Sequence, residues 1–335
     1  MLNAGVIGYG YWGPNLVRNF MECEKSLVLK VSDLDPARLA LCKSRYPSIQ
    51  TTGDYREILN DPAIDAVVIA TPVGTHYPLA LEALQAGKHV WVEKPFTSTV
   101  EQGETLLNEA EKRGLKIIVD HTFIYTGAVK KIKSLVDEGA FGNIYYYDSV
   151  RINLGLFQQD VDVLWDLAVH DFSILHYLFG KKPTGISAIG KSHVAGKPEN
   201  TAFVSLMYDD NFIAHINANW LSPVKVRQIL IGGDKKMAVF NDLEQAEKLK
   251  IYDSGLVLDN QEDIRETMIG YRTGDMLAPK IPTTEALKDE VEHFIHCIDT
   301  GEEPITSGAM GLEMVRLLCL ASESIKQQGA PLEVK

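Results

Sequence analysis

The sequence predicts an α/β protein in two parts: a doubly wound parallel sheet with crossover helices, then an α+β part with a large, open, mostly antiparallel sheet. Three observations predict it. Short apolar strands alternate with helical stretches up to about residue 122, the rhythm of a parallel sheet. Beyond Phe123, apolar and polar residues alternate through one strand-like run after another with few helices between, as in an antiparallel sheet covered on one face. The chain is 335 residues long, more than one typical domain. The expected division is 1–122 and 123–335.

In the first part, Ala4–Ile7 reads as a short strand, followed at once by Gly8-Tyr9-Gly10-Tyr11-Trp12-Gly13. Pro14 then opens a helical stretch, NLVRNFMEC, at a position proline favours. Strand, glycine turn, helix is the context that gives G-x-G-x-x-G a meaning. Gly8 permits the tight turn, Gly10 lets backbone approach a pyrophosphate, and Gly13 lets helix and strand pack closely. The helix N-terminus adds amides and a positive dipole end. A second strand, Leu27–Ser32, ends at Asp33, about twenty residues past Gly13, where a ribose-binding acid belongs. A carboxylate there repels a 2′-phosphate, so NAD is expected over NADP. Asp35-Pro36 reads as the cap of the next helix.

Further strands at Ala66–Ala70, His89–Val92 and Leu115–Val119 end in Thr71-Pro72, Glu93-Lys94-Pro95 and Asp120-His121. A helix from about Pro78 to Ala86 closes on Gly87. Ligands of open parallel sheets lie beyond the carboxyl ends of the strands, where Asp33, Thr71, Lys94 and His121 all sit. A lysine after an apolar strand is ordinarily a solvated cap, but in a dinucleotide site it becomes a candidate for holding substrate oxygen. His76 reads either as a cofactor contact or as a cap for the helix that follows.

The second part opens with a helix, Val129–Asp137. Strands are expected over Ile144–Asn153, Thr184–Ser192, Thr201–Tyr208, Phe212–Trp220, Val226–Gly232, Lys236–Phe240 and Lys248–Asp253, with a long loop over 254–284. Two helices, about Thr284–Thr300 and Gly308–Gln327, close the chain. The stretch from Asp160 to Gly180, DVDVLWDLAVHDFSILHYLFG, is apolar enough for a helix buried on most sides, yet Asp162, Asp166 and His170 recur every four residues. That spacing aligns an acid–acid–histidine stripe, which a buried helix must aim at a polar cavity. A carboxylate holding an imidazole there is how a general base is commonly built; the plainer alternative is a satisfied structural ion pair. With few helices to cover it, one face of the sheet invites self-association, the alternative being that the two terminal helices cover it.

The composition narrows the classes. Net charge is −12, which leaves no electrostatic footprint for nucleic acid or an anionic membrane. The apolar runs fall far short of a membrane span, and the N-terminus has no basic leader. The four cysteines, Cys23, Cys42, Cys297 and Cys319, form no close pair, so no metal site is expected. These features point to a cytoplasmic enzyme.

GYGYWG after the first strand, TP…H at 71–76, AGKHVWVEKP at 86–95 and DLAVHD at 166–171 together resemble the glucose–fructose oxidoreductase, inositol dehydrogenase and rhizopine catabolism (Gfo/Idh/MocA) family over essentially the whole chain. The resemblance implies an N-terminal Rossmann domain, a C-terminal domain whose sheet builds oligomers, and NAD(P)-dependent oxidation or reduction of sugars or polyols. It implies that Lys94 and His170 face substrate, with Asp166 as the partner of the histidine. The implied cofactor set is Gly8, Gly10, Tyr11, Trp12, Gly13, Asp33, Thr71, Pro72, His76, Glu93 and Lys94. Tyr125, Arg151 and Asn153 are candidate sugar contacts. His121–Tyr125 lacks the arginine of many polyol-oxidising members, and Asp162–Trp165 stands where many have a glycine run. Both departures speak against free inositol or glucose, and the GYWGPNLVRNF opening and the WDLAVHD helix look more like members found in nucleotide-sugar and cell-surface polysaccharide pathways. The alternatives are an NAD-dependent glycosidase and a non-catalytic NAD-binding regulator.

Overall fold

The structure, a computed structural model, describes residues 1–155, 161–258 and 269–335. Contacts within the chain divide it into two compact units: Met1–Tyr125 with Thr284–Arg316, and Thr126–Thr283 with Leu317–Lys335.

In the first unit, β1 (Leu2–Ile7), α1 (Gly13–Glu22), β2 (Ser26–Ser32), α2 (Pro36–Arg45), β3 (Gln50–Thr52), α3 (Arg56–Leu59), β4 (Ala66–Ile69), α4 (His76–Gln85), β5 (His89–Glu93), α5 (Val100–Arg113) and β6 (Ile117–Asp120) follow in turn. Among the described residues the six strands pair in the order β3-β2-β1-β4-β5-β6, all parallel. This is the doubly wound sheet the alternation predicts, with its reversal of strand order between β1 and β4. β4 and β6 are buried at every residue, as strands covered on both faces must be. Pro36 stands in the first turn of α2, where Asp35 accepts the amide of Ala37. Gly87 takes a positive φ just past α4, so the expected helix stop is where it should be.

The second unit holds α6 (Gly127–Asp137), β7 (Ile144–Leu154), α7 (Val169–Phe179), β8 (Gly185–Lys191), β9 (Thr201–Met207), β10 (Ile213–Asn219), β11 (Leu221–Gly233), β12 (Met237–Asn241), β13 (Leu249–Leu258) and β14 (Ile269–Leu277). The closing elements are α8 (Ala286–Thr300), α9 (Gly308–Lys326) and β15 (Leu332–Glu333). Among the described residues nine strands pair in the order β14-β13-β12-β11-β7-β10-β9-β8-β15. Only the β7–β10 pair is parallel. On β7 the buried residues Tyr147, Ser149 and Arg151 share one face, and the pleat sends Tyr146, Asp148 and Val150 to the other.

Two expectations about this part need correction. The loop expected over 254–284 contains the end of β13 and all of β14, which pair with each other; residues 259–268 lie outside the described residues. Helix α8 and the first half of α9 do not go with the second part. Leu287, Val291, Phe294 and Ile295 of α8 join a core with Leu16, Phe20 and Trp91. Trp91 meets Phe20 and Phe294 edge-on, at centroid distances of 5.4 and 5.7 Å. The apolar stripe of α8 shows that a partner is needed, and only the fold shows that the partner begins some 270 residues earlier.

Candidate functional site

The glycine turn is built as its spacing implies, and each glycine has its own reason. Gly8 has φ +98°, and a Cβ there would lie 2.4 Å from the carbonyl oxygen of Ala70. At Gly13 a Cβ would lie 2.3 Å from the carbonyl oxygen of Gly8, so the helix start could not close on the strand end. Gly10 differs: its Cβ would meet only the Arg38 guanidinium, at 3.4 Å. Nothing among the described residues demands glycine there, which is what a surface kept bare for a pyrophosphate looks like. The first turn of α1 carries no acidic side chain that would oppose an anion at its N-terminus.

Asp33 is fixed in advance. Its Oδ2 accepts the amide of Tyr9 at 2.7 Å and its Oδ1 the amide of Asp35 at 2.8 Å, with Arg38 Nη1 3.6 Å away. The side chain thus stands at the end of β2 as a buried, oriented acceptor, the arrangement a ribose diol requires. These residues fit a dinucleotide.

The remaining expected cofactor residues divide by what they touch. The Tyr11 side chain is exposed, whereas Trp12 donates its indole N–H to Asp120 Oδ2 at 2.9 Å, tying the glycine turn to the end of β6. Thr71 is half-buried and Pro72 exposed, in the turn after β4. Thr75 donates its hydroxyl to that of Thr71. His76 is not open to a ligand. It is 1% exposed, with Nδ1 2.9 Å from the carbonyl oxygen of Pro95 and Nε2 2.8 Å from that of Thr71, so it staples the turn after β4 to the turn after β5. It is the first residue of α4, and no side chain caps that helix. Burial is the main influence on its pKa and lowers it, which favours the neutral ring.

Glu93 and Lys94 are half-buried at the end of β5. Glu93 is opposite Asp120 in the parallel register, and Glu290 of α8 reaches the same place. Burial first, and the charge of Asp120 second, hold the Glu93 and Glu290 carboxyls well above the usual range. Tyr125 is committed to the interior: it is 1% exposed, its hydroxyl shares a hydrogen bond with Thr306 Oγ1 at 3.2 Å, and its ring tilts against His293. A sugar contact through Tyr125 is therefore withdrawn.

In the second unit the expected acid–acid–histidine stripe is rebuilt. Leu164–Ala168 forms one π-helical turn leading into α7. Such turns are rare and recur at functional sites. Asp162 precedes the turn and caps it, its Oδ1 accepting the amides of Leu164 at 2.8 Å and Trp165 at 3.0 Å. Burial raises its pKa to about 6, against the pull of those two amides. Asp162 is thus a cap and leaves the stripe, because a wider turn changes which positions share a face. Asp160 lies outside the described residues. Asp166 sits within the π turn, and Trp220 donates its indole N–H to Asp166 Oδ2 at 3.1 Å. His170 follows on the first turn of α7, half-buried. Asp171 points elsewhere: Arg151 donates Nε to its Oδ2 at 2.7 Å and Nη2 to its Oδ1 at 3.1 Å, and Ser149 donates its hydroxyl to Oδ1. Arg151, 5% exposed, therefore serves as a strut between β7 and α7, which replaces its reading as a sugar contact. Asn153 lies two residues further along β7, beside the position a Cβ on Gly155 would occupy, as does Trp220.

Trp220, Asp120 and Glu290 are the residues that sequence reasoning passed over. Asp120 had the signal of a strand end. Trp220 and Glu290 had none, because each acts on a residue more than fifty positions away.

Comparison with known proteins agrees with this picture. Residues 2–121 match the model of an oxidoreductase family with an NAD-binding Rossmann fold, GFO_IDH_MocA, and residues 129–239 match that of the GFO/IDH/MocA C-terminal domain. The chain is 26% identical to the uncharacterized oxidoreductase YrbE of Bacillus subtilis, over 99% of this chain and 96% of that one. It is 27% identical to the UDP-N-acetylglucosamine 3-dehydrogenase of Acidithiobacillus ferrooxidans, over 92% and 93%. A levoglucosan dehydrogenase solved with NADH shares the fold at a TM-score of 0.84 and 22% identity, covering 100% of this chain and 99% of that one. Among the described residues no group of side chains could hold a metal ion, and no helix is long and apolar enough to cross a membrane.

Proposed function

Because this chain belongs to the NAD-binding Gfo/Idh/MocA oxidoreductases, we propose that it moves a hydride between NAD and a secondary alcohol of a sugar, with a nucleotide sugar as substrate. The observation that carries the reading is the second unit's π turn, which brings a carboxylate oriented by an indole N–H four residues ahead of a half-buried histidine. When bound, NAD supplies the hydride acceptor. Gly8, Gly10, Gly13 and the start of α1 hold its pyrophosphate, and Asp33 accepts from its ribose. His170 takes the proton of the sugar hydroxyl as the carbon–hydrogen bond breaks, and returns it in reduction. Asp166 holds the imidazole tautomer and favours the imidazolium that forms. Lys94 donates to the reacting oxygen and steadies its developing negative charge. Asn153 remains the candidate sugar contact.

The choice of a nucleotide sugar is supported by the 27% identity to a UDP-N-acetylglucosamine 3-dehydrogenase along most of both chains. In this reading the enzyme works in the cytoplasm, in a route to cell-surface polysaccharide, as a homodimer or homotetramer joined through the outer face of the large sheet. The experiment is NADH formation across a panel of UDP-hexosamines and UDP-hexuronates, with myo-inositol and glucose as controls, repeated with His170→Ala. Turnover of a nucleotide sugar that drops about a hundredfold or more in the variant supports the reading. Unchanged turnover in the variant removes His170 from the mechanism. Release of free sugar without NADH would favour an NAD-dependent glycosidase, and NAD binding with no turnover of any sugar a regulator.

A further inference from the structure

Three carboxyl groups meet in the first unit without enough donors to satisfy them. Glu93 ends β5, Asp120 ends β6 beside it, and Glu290 comes from α8. Asp120 is 2% exposed and Glu290 0%. Asp120 is well supplied: Trp12 donates to Oδ2, and the amide and hydroxyl of Thr122 donate to Oδ1. Glu290 accepts from Thr306 Oγ1 at Oε1 and from the backbone amide of His121. Yet Glu93 Oε1 and Glu290 Oε2 are buried with no N–H or O–H donor among the described residues, and both carboxyls lie within hydrogen-bonding reach of Asp120.

Two buried carboxylates in contact repel each other, and the contact becomes favourable once an acid proton lies between them. Two such contacts call for two protons. Asp120, which has the amide, indole and hydroxyl donors, is the natural anion, and Glu93 and Glu290 are the acids that donate to it. Lys94, next to Glu93, is the cation that opposes this protonation. Tyr125 and His121 are the other titratable groups of this unit at the cluster, on the segment that follows β6. The two acids differ in surroundings: Glu290 is fully buried on α8, whereas Glu93, though its Oε1 is buried, is a half-buried residue at the end of β5.

A sheet of this order binds a dinucleotide as two mononucleotide halves. Asp33 marks the adenosine half at β2, which leaves the ends of β4, β5 and β6 to the nicotinamide half. We propose that Glu93 holds an acid proton shared with Asp120, surrenders it to solvent when oxidised, positively charged nicotinamide binds over these strand ends, and retains it when the uncharged reduced ring binds. The O–H bond breaks heterolytically, its electron pair stays on the carboxylate, and the new anion would offset the charge of the pyridinium. Once hydride transfer has removed that positive charge, Glu93 recovers a proton from water. The site thereby senses the redox state of the cofactor, and NAD binding tightens with rising pH by up to about tenfold per unit, while NADH binding stays flat.

This rests on the dinucleotide site and not on the identity of the sugar, and its test needs no turnover. Calorimetric titration of the full chain with NAD and with NADH near neutral pH, in phosphate and in Tris, reads proton release from the buffer dependence of the heat. Release with NAD, none with NADH, and loss of the NAD-linked release in Glu93→Gln is the expected result. The glutamine amide still donates to Asp120, and Glu290→Gln, which removes only the sealed proton, should keep the difference. Equal release with both cofactors, no release with NAD, or release that persists in Glu93→Gln overturns the proposal. Failure of the unaltered protein to bind either cofactor overturns both the proposal and the dinucleotide site.

Discussion

In the proposed dinucleotide site, Asp33 is the side chain on which the choice between cofactors would turn. Its two oxygens are held by the amides of Tyr9 and Asp35, and Arg38 Nη1 lies 3.6 Å away. In the proposed site, removing the carboxylate would take away the ribose acceptor and also the negative charge that would keep a 2′-phosphate out, while a guanidinium remains alongside. Asp33→Ala should therefore weaken NAD by roughly ten- to a hundredfold and lose most of its preference over NADP, as read by fluorescence titration with both cofactors. An unaltered preference would assign the ribose elsewhere. Asp33, Gly8, Gly10 and Gly13 were all legible in the chain, because a turn, a close approach and a fixed offset leave their mark on local spacing. His76, Tyr125 and Arg151 were legible only as polar residues in promising places. Whether such a residue meets a ligand or a carbonyl depends on partners far away in sequence, and in each case an internal partner took it.

Among the elements, the π turn at Leu164–Ala168 most changes the reading of its residues. A period of four in Asp162, Asp166 and His170 suggested one continuous stripe. The chain uses the first acid to cap the turn, the second inside the turn and the histidine beyond it. No pattern of apolar residues announces a π turn, since one inserted position looks like drift in the period. The cap carries a pH signature. Burial pushes the Asp162 carboxyl up to about 6 in the folded protein, from an ordinary value of about 3.8. A folded-state pKa raised in this way gives stability that is complete below about 3.8 and lost as pH rises through about 6. At neutral pH the buried charge is a standing penalty. Asp162→Asn removes the charge but keeps an oxygen for the amides of Leu164 and Trp165, so urea unfolding at pH 7.5 should show a variant more stable by up to about 3 kcal/mol. The gap should narrow toward pH 4. A variant less stable at both pH values would show that the carboxylate is worth more as a cap than it costs in burial.

At the scale of the whole molecule, one face of the nine-stranded sheet carries exposed apolar side chains on β8, β9 and β10. Ile189 is 62% exposed, Phe203 43% and Ile213 50%, and Ile189 pairs directly with Phe203 across β8 and β9. A face of this kind suits a second copy better than water. If the proposed homodimer or homotetramer forms through this face, replacing Ile189 and Phe203 together by Asp should move it toward monomer in sedimentation velocity; an oligomer with an unchanged distribution would place the interface elsewhere. The fold class was legible at this scale, since alternation of strands and helices and then of apolar and polar residues needs no distant partner. The true division of the chain was not, because helix α8 looks from its own sequence like any amphipathic helix.

That division has a consequence for the life of the polypeptide. The chain passes between the two units at Tyr125–Thr126, at Thr283–Thr284 and, midway along α9, at Arg316–Leu317. The nucleotide-binding half is therefore unfinished when the ribosome has made its sheet, and must wait for Phe294 and its neighbours before its interior is sealed. A premature stop between β6 and α8 would spare every glycine, acid and lysine assigned to the dinucleotide, yet leave them on a scaffold with an open side.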